Sequence, residues 1–259
     1  MKVEKVISII ESIADPSYSA SWDLSGIQIA SNRKDVYKLA LCLDPDPLLL
    51  KEIFQWGADF VLTHHPITLS PKLPNELDLY HEILSLFFRA DVWLYAAHTS
   101  LDVQINGPAG WLARELSFIK TEAIEPIGDN LNIGFGLIGT LPESMSYEDF
   151  VVSLKQILKR DSWLESGTVP GKVEVVAYCP GSGMSLAKTA FLKGADIFIS
   201  GELKYHSALE IKRSGMILDV GHFILEERMM EVWADILKEE LKGVEVSFFK
   251  GEDPIKWGS

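Results

Sequence analysis

The run GADFVLTHHPI, residues 57 to 67, ends an apolar stretch with two adjacent histidines and a proline. Neutral imidazole is both a metal ligand and a proton carrier near neutral pH. Neighbouring residues of a strand point to opposite faces, so His64 and His65 could not serve one site if the strand ran on through them. Pro66 removes a ladder donor and biases His65 toward an extended or turn conformation, which lets both rings face one crevice.

The same placement recurs. His98 ends the apolar run VWLYAA with Asp102 four residues later, and His222 follows MILDV with Glu226 four residues beyond. FILEERMMEVWADILKEEL reads as an amphipathic helix, which brings His222 and Glu226 to one face. His64, His65, His222, Asp102 and Glu226 make three imidazoles and two carboxylates, a donor set for Zn, Fe(II), Mn or Co. That count exceeds what one tetrahedral catalytic ion needs. Two divalent ions roughly 3.5 to 4 Å apart, sharing a bridging carboxylate, fit better and would serve hydrolysis. His81, inside the helical stretch ELDLYHEILSLFF, has no strand-end position and reads as a structural or surface residue.

The elements that must hold these residues repeat. ALCLDPDPLLLKEIFQWGADFVLT (40 to 63) aligns without gaps on AYCPGSGMSLAKTAFLKGADIFIS (177 to 200), matching Ala, Cys, Lys, Phe and a Gly-Ala-Asp turn. RADVWLYAAH (89 to 98) matches RSGMILDVGH (213 to 222) at Arg, Leu and the final His. Each copy reads strand, helix, strand, helix, strand, which indicates a parallel sheet covered on both faces. The expectation is an α/β fold of two similar three-layer lobes made by duplication, with mainly parallel sheets. Lobe 1 covers residues 1 to 124 and lobe 2 residues 125 to 259, with TEAIEPIGDN as the crossing point. Ser146 with Asp149 forms a capping box opening YEDFVVSLKQILKR, while IGFGLIGT and VEVSFF can each complete either lobe's sheet. In open α/β sheets, ligands bind outside the carboxyl ends of the strands, where the histidines fall.

Composition sets the outer bounds. A chain of 259 residues that is 47% hydrophobic fills a sizeable core. No apolar run approaches the ~18 residues that span a bilayer, and the Lys- and Glu-bearing start is unlike a signal peptide, so a cytoplasmic protein off the membrane is expected. A formal net charge of -13 argues against nucleic acid as the main partner. Cys42 and Cys179, the only cysteines, lie in apolar segments without metal-site spacing and read as buried thiols.

SWDLSGIQIA, GADFVLTHHPI, AAHTSLDV, FGLIGTLPE, GADIFISGELKYHSALE and DVGHFILEE, from about Trp22 to Glu227, together resemble the successive motifs of the Nif-three-like dinuclear metal proteins, often called GTP cyclohydrolase 1 type 2 homologues. The resemblance implies a toroidal homohexamer with a two-metal site between the lobes of each chain. It implies the same five ligands, His64, His65, Asp102, His222 and Glu226, with Glu226 bridging. His98, Glu202 and His206 match polar positions beside the site. Leu24, Ser25, Ser100 and Pro180 depart from the motifs' usual residues; none is a ligand.

The activity expected is that of a metal-dependent hydrolase of a small nucleotide-like or pterin-related substrate, with Zn, Fe or Mn as the ions. His98 or Glu202 would manage protons, and Lys204 and His206 would bind substrate. The family name suggests opening of the guanine imidazole ring of GTP, yet the chain has no GxxxxGK[ST] loop, and its basic residues nearby are Lys188, Lys193 and Lys204. The alternatives are a protein that stores, delivers or inserts metal without turnover, and a regulatory ring-shaped interaction protein.

Overall fold

The computed structural model describes residues 1–256. An apolar run with no polar alternation belongs inside a sheet covered on both faces, and Leu39 to Cys42 and Phe60 to Leu62 are wholly buried. Two compact units result, one formed by Met1–Leu101 with the segment from Glu227 onward, the other by Asp102–Glu226. The division thus falls after Leu101 and again after Glu226, whereas the sequence reading places a single boundary after residue 124.

In the first unit a five-stranded sheet runs in the order β1 (Gly26–Ile29), β4 (Trp93–Ala96), β3 (Phe60–Thr63), β2 (Lys38–Cys42), β11 (Glu245–Phe248). β4, β3, β2 and β11 are parallel, and β1 closes the β4 edge antiparallel. VEVSFF therefore completes the first sheet from the far end of the sequence. Helices α1 (Val3–Ile13), α2 (Pro47–Trp56) and α3 (Leu79–Ala90) belong to the same unit. Local chemistry sets the bounds of α2: Asp46 accepts from the amides of Leu48 and Leu49, Pro47 opens the first turn, and Gly57 ends it at φ +91°. Leu50, Ile53, Val61, Phe87 and Leu94 pack together in this unit's core.

The second unit has a six-stranded sheet ordered β5 (Ile119–Ile127), β6 (Asn130–Met145), β8 (Val173–Tyr178), β9 (Ile197–Ser200), β10 (Met216–Asp219), β7 (Leu164–Gly167). β8, β9 and β10 are parallel as the repeat requires, while β7, β6 and β5 join antiparallel. TEAIEPIGDN, expected to be the crossing point between the lobes, is instead most of β5 and the turn into β6. Its Gly-Asp-Asn turn signal belongs to a hairpin, and Pro126 is tolerated because β5 is an edge strand with a register irregularity beside that proline. Helix α6 (Tyr147–Leu158) opens at Ser146, whose hydroxyl accepts from the amide of Asp149 at 3.1 Å. α5 (Trp111–Glu115), α7 (Ala187–Leu192) and α8 (Tyr205–Ile211) complete this unit's helices. Phe198, Ile217, Ala187 and Ala190 lie in its core.

The chain passes from one unit to the other within the short helix α4 (Thr99–Asp102) and again within α9 (His222–Glu240). Asp102 and Glu226 stand at these two crossings.

Candidate metal centre

In the first unit the ends of β3 and β4 place three histidines. The amides of His64 and His65 both donate to the carbonyl of Leu43, at 3.2 and 3.1 Å, so the chain turns off the sheet at this point. The Thr63 hydroxyl donates to the carbonyl of His65 at 2.8 Å and fixes that turn. Both rings consequently face the same way, with centroids 5.0 Å apart. His98 joins them, its ring 5.2 Å from His64 and 5.5 Å from His65. One ring nitrogen from each of His64, His65 and His98 can be chosen so that all lie within 4.8 Å of one another.

What orients each ring is an oxygen on Nδ1. The Nδ1 of His64 lies 2.9 Å from the carbonyl of Ala97, that of His65 2.7 Å from Asp44, and that of His98 2.8 Å from Asp23. A carbonyl or an ionised carboxylate can only accept, so these nitrogens carry a proton, and in the neutral ring Nε2 keeps its lone pair. Asp23 is fully buried as a side chain. Burial alone would raise its carboxyl, but hydrogen bonds from His98, Ser25 and Thr99 outweigh that and hold it well below the ordinary carboxylate range. Ser25, one of the departures from the family motif, is thus part of the support: its hydroxyl donates to Asp23 at 2.6 Å and accepts from the His98 amide at 3.1 Å. Ser100, another departure, donates to Ser25.

In the second unit, Asp219 ends β10 and accepts from the amides of Leu203 and Gly221, tying the β9 loop to the start of α9. His222 opens α9, and its Nδ1 lies 2.7 Å from Glu202. Glu202 is held at φ +62°, an uncommon backbone conformation for a residue with a side chain. Its carboxyl is lowered from the ordinary value, first by the hydrogen bond with His222. One turn along α9, Oε2 of the buried Glu226 lies 2.7 Å from Nε2 of His222. Gly181 makes room for this carboxylate: at φ +65°, a Cβ there would stand 2.2 Å from Oε1 of Glu226. The Trp111 indole donates to the carbonyl of Leu225, pinning the same turn. Asp102 belongs to this unit, at the end of α4.

The donor chemistry fits a divalent transition metal. Four imidazoles, His64, His65, His98 and His222, each have a carbonyl or carboxylate on Nδ1, the arrangement that accompanies metal-ligating histidine. Sequence reading misses the orienting residues Asp23 and Asp44. Asp44 had a signal, since it directly follows the apolar end of β2 beside β3; Asp23 lies within SWDLSGIQIA but has no spacing that assigns it a partner.

The remaining expected site residues divide. Lys204 lines a cavity of about 460 Å³ in the second unit, with Glu202 and Lys188. His206 is exposed on α8, its ring 5.3 Å from that of Tyr205, and does not line that cavity. Lys193 is engaged elsewhere, at 2.8 Å from Glu122. His81 is on α3, where Asp78 caps its amide. Cys42 and Cys179 are buried free thiols, and burial pushes both well above the ordinary thiol range. Among the described residues no helix is long and apolar enough to cross a membrane.

Known proteins are similar to this chain in sequence or fold over nearly its full length. The chain is 29% identical over 263 residues to the GTP cyclohydrolase 1 type 2 homolog of Clostridium perfringens, covering 99% of this chain and 100% of that one. It is 29% identical over 245 residues to the GTP cyclohydrolase 1 type 2 homolog of Methanocaldococcus jannaschii, covering 93% and 96%. A crystal structure of a Staphylococcus aureus hypothetical protein superposes with a TM-score of 0.88 at 21% identity, covering 99% of each chain, a likeness of fold. The model of the Duf34/NIF3 (NGG1p interacting factor 3) family matches residues 1–254, and the chain belongs to that family.

Proposed function

We propose that the chain is a metal-dependent hydrolase that binds two divalent ions through His64, His65, Asp102, His222 and Glu226 and acts on a small nucleotide-like or pterin-related substrate. The observation that carries this reading is the set of oxygen acceptors on Nδ1 of His64, His65 and His222, the arrangement that accompanies metal-ligating imidazole. The names of the relatives, GTP cyclohydrolase 1 type 2 homologues, supply the reaction class. Bound there, two ions would supply Lewis-acid polarisation of a substrate oxygen and acidify water for attack at neutral pH.

The chain's own residues then have distinct tasks. His98, backed by the buried carboxylate of Asp23, takes a proton at Nε2 and returns it, because Asp23 stabilises the imidazolium without taking the proton itself. Glu202 fixes the tautomer and the angle of His222, a positioning role. Glu226, kept in place by Gly181 and the Trp111 contact at Leu225, offers two oxygens and is the residue suited to bridge.

Elemental analysis of protein purified without chelator or affinity metal tests this reading. About two ions per wild-type chain, fewer in Asp102→Ala, and release of product from nucleotides or phosphoesters are expected. Metal without turnover, together with rapid transfer of ions to a competing chelator, would favour a delivery protein. A homohexameric ring is part of the proposal, and light scattering reads it directly.

A further inference from the structure

The second unit holds a cavity of about 460 Å³ lined by Ser182, Ser185, Ser207, Lys188, Lys204 and Glu202, with Met184, Ile211 and Glu210 completing its wall. Two ammonium groups and three hydroxyls share one recess in a chain whose net charge is -13. Among the described residues neither Lys188 nor Lys204 forms a side-chain ion pair within 4.0 Å, whereas Lys193, outside this recess, is bound to Glu122 at 2.8 Å and to the carbonyl of Ala123 at 3.0 Å. Glu202 keeps its negative charge, its carboxyl lowered first by the hydrogen bond with His222 and further by the nearby Lys204, and it is turned toward His222 at 2.7 Å. Its left-handed backbone places it at this wall and against the ligand histidine together. Glu210 is the one other carboxylate on the lining.

We infer that this cavity takes the phosphate of a small phosphomonoester, held by Lys188 and Lys204 and the serine hydroxyls, while Met184 and Ile211 cover part of its organic group. Ammonium groups act on phosphate as point charges, and hydroxyls supply the directional donors. An apolar flank beside them selects an ester over free phosphate. Glu210 would accept from an N–H or O–H of the organic portion. The inference deepens the hydrolase reading, on which it rests for the fate of the bound ester. Through Glu202 and His222 the anion subsite is linked to a metal ligand, so a phosphorylated substrate would be anchored beside the reacting centre.

Calorimetric titration of the full-length protein with phenyl phosphate and with inorganic phosphate, before and after chelator treatment, tests the assignment. Metal content is measured in parallel. Phenyl phosphate should bind after metal removal and more tightly than inorganic phosphate, and Lys188→Ala and Lys204→Ala should each weaken it by about tenfold, the cost of one lost charge-assisted contact. Both lysines are exposed, so the variants should keep wild-type melting and metal content. Absence of binding to the metal-free chain, equal affinity for the two probes, or unchanged affinity in both variants would overturn the inference. Phosphoester binding in a chain that never holds metal would sustain the cavity and overturn the metal centre; metal without phosphoester binding would do the reverse.

Discussion

Gly181 is the residue on which the Glu226 carboxylate depends. A methyl group at this position would stand 2.2 Å from Oε1 of Glu226 on a backbone already at φ +65°. Gly181→Ala should therefore displace the carboxylate, lower metal content toward that of a ligand variant, and cost about 1–3 kcal/mol in unfolding free energy from overpacking. Asp23→Asn makes a complementary test, because the amide can still hold the His98 ring but no longer stabilises its charged form. Turnover should fall and its pH profile should shift, with metal content retained; loss of metal would make His98 a ligand instead. His81→Ala should leave both metal and turnover unchanged, since its amide serves the α3 cap and its ring stands outside the histidine cluster. At this scale the histidine positions were legible, because His64, His65, His98 and His222 each come at or just after the end of an apolar strand and carry a distinctive side chain. The orienting carboxylates were harder: Asp23 meets His98 across 75 positions and Asp44 meets His65 across 21, distances over which no local spacing operates.

The duplicated elements reproduce more than their order. Gly57 and Gly194 both end a helix in the left-handed region, at φ +91° and +93°. Asp59 accepts from the amides of Tyr37 and Lys38, and Asp196 accepts from those of Glu174 and Val175. The Gly-Ala-Asp turn is therefore a clip that closes the second strand of each copy onto the start of the first. Pairing is also the same, with Leu39 opposite Phe60 and Val176 opposite Ile197. Asp196→Ala should cost about 1–3 kcal/mol, and Asp59→Ala more, because Arg33 is also bound to it at 2.6 Å; chemical denaturation reads both. The sequence match was a strong guide here but slipped in one place. By strand register Trp93 corresponds to Met216, one position from the alignment that set His98 on His222, so His222 corresponds to Thr99, the first residue of α4. Short apolar strands hold no marker fine enough to fix a single-residue step. The β5 and β6 hairpin was also illegible as such, because its turn chemistry is equally that of a linker.

Across the molecule, the sheet of the first unit is completed by the last strand in the sequence, while every strand of the second lies between the two crossings. A chain cut after Leu241 lacks β11 and leaves the β2 edge bare, an invitation to aggregation. The two cysteines report on this separately, Cys42 ending β2 and Cys179 following β8. In the intact protein neither thiol should react with iodoacetamide at pH 8 until denaturant is added, since burial raises both above their ordinary range. In the truncated chain Cys42 should alkylate readily and Cys179 should stay protected.

A growing polypeptide emerges from the ribosome in sequence order, and domains tend to fold as they emerge. Here the order of completion is reversed. The second unit has all its strands while the first still waits for residues 245 to 248, so the half of the protein made first is the half that must be kept from misassociating longest.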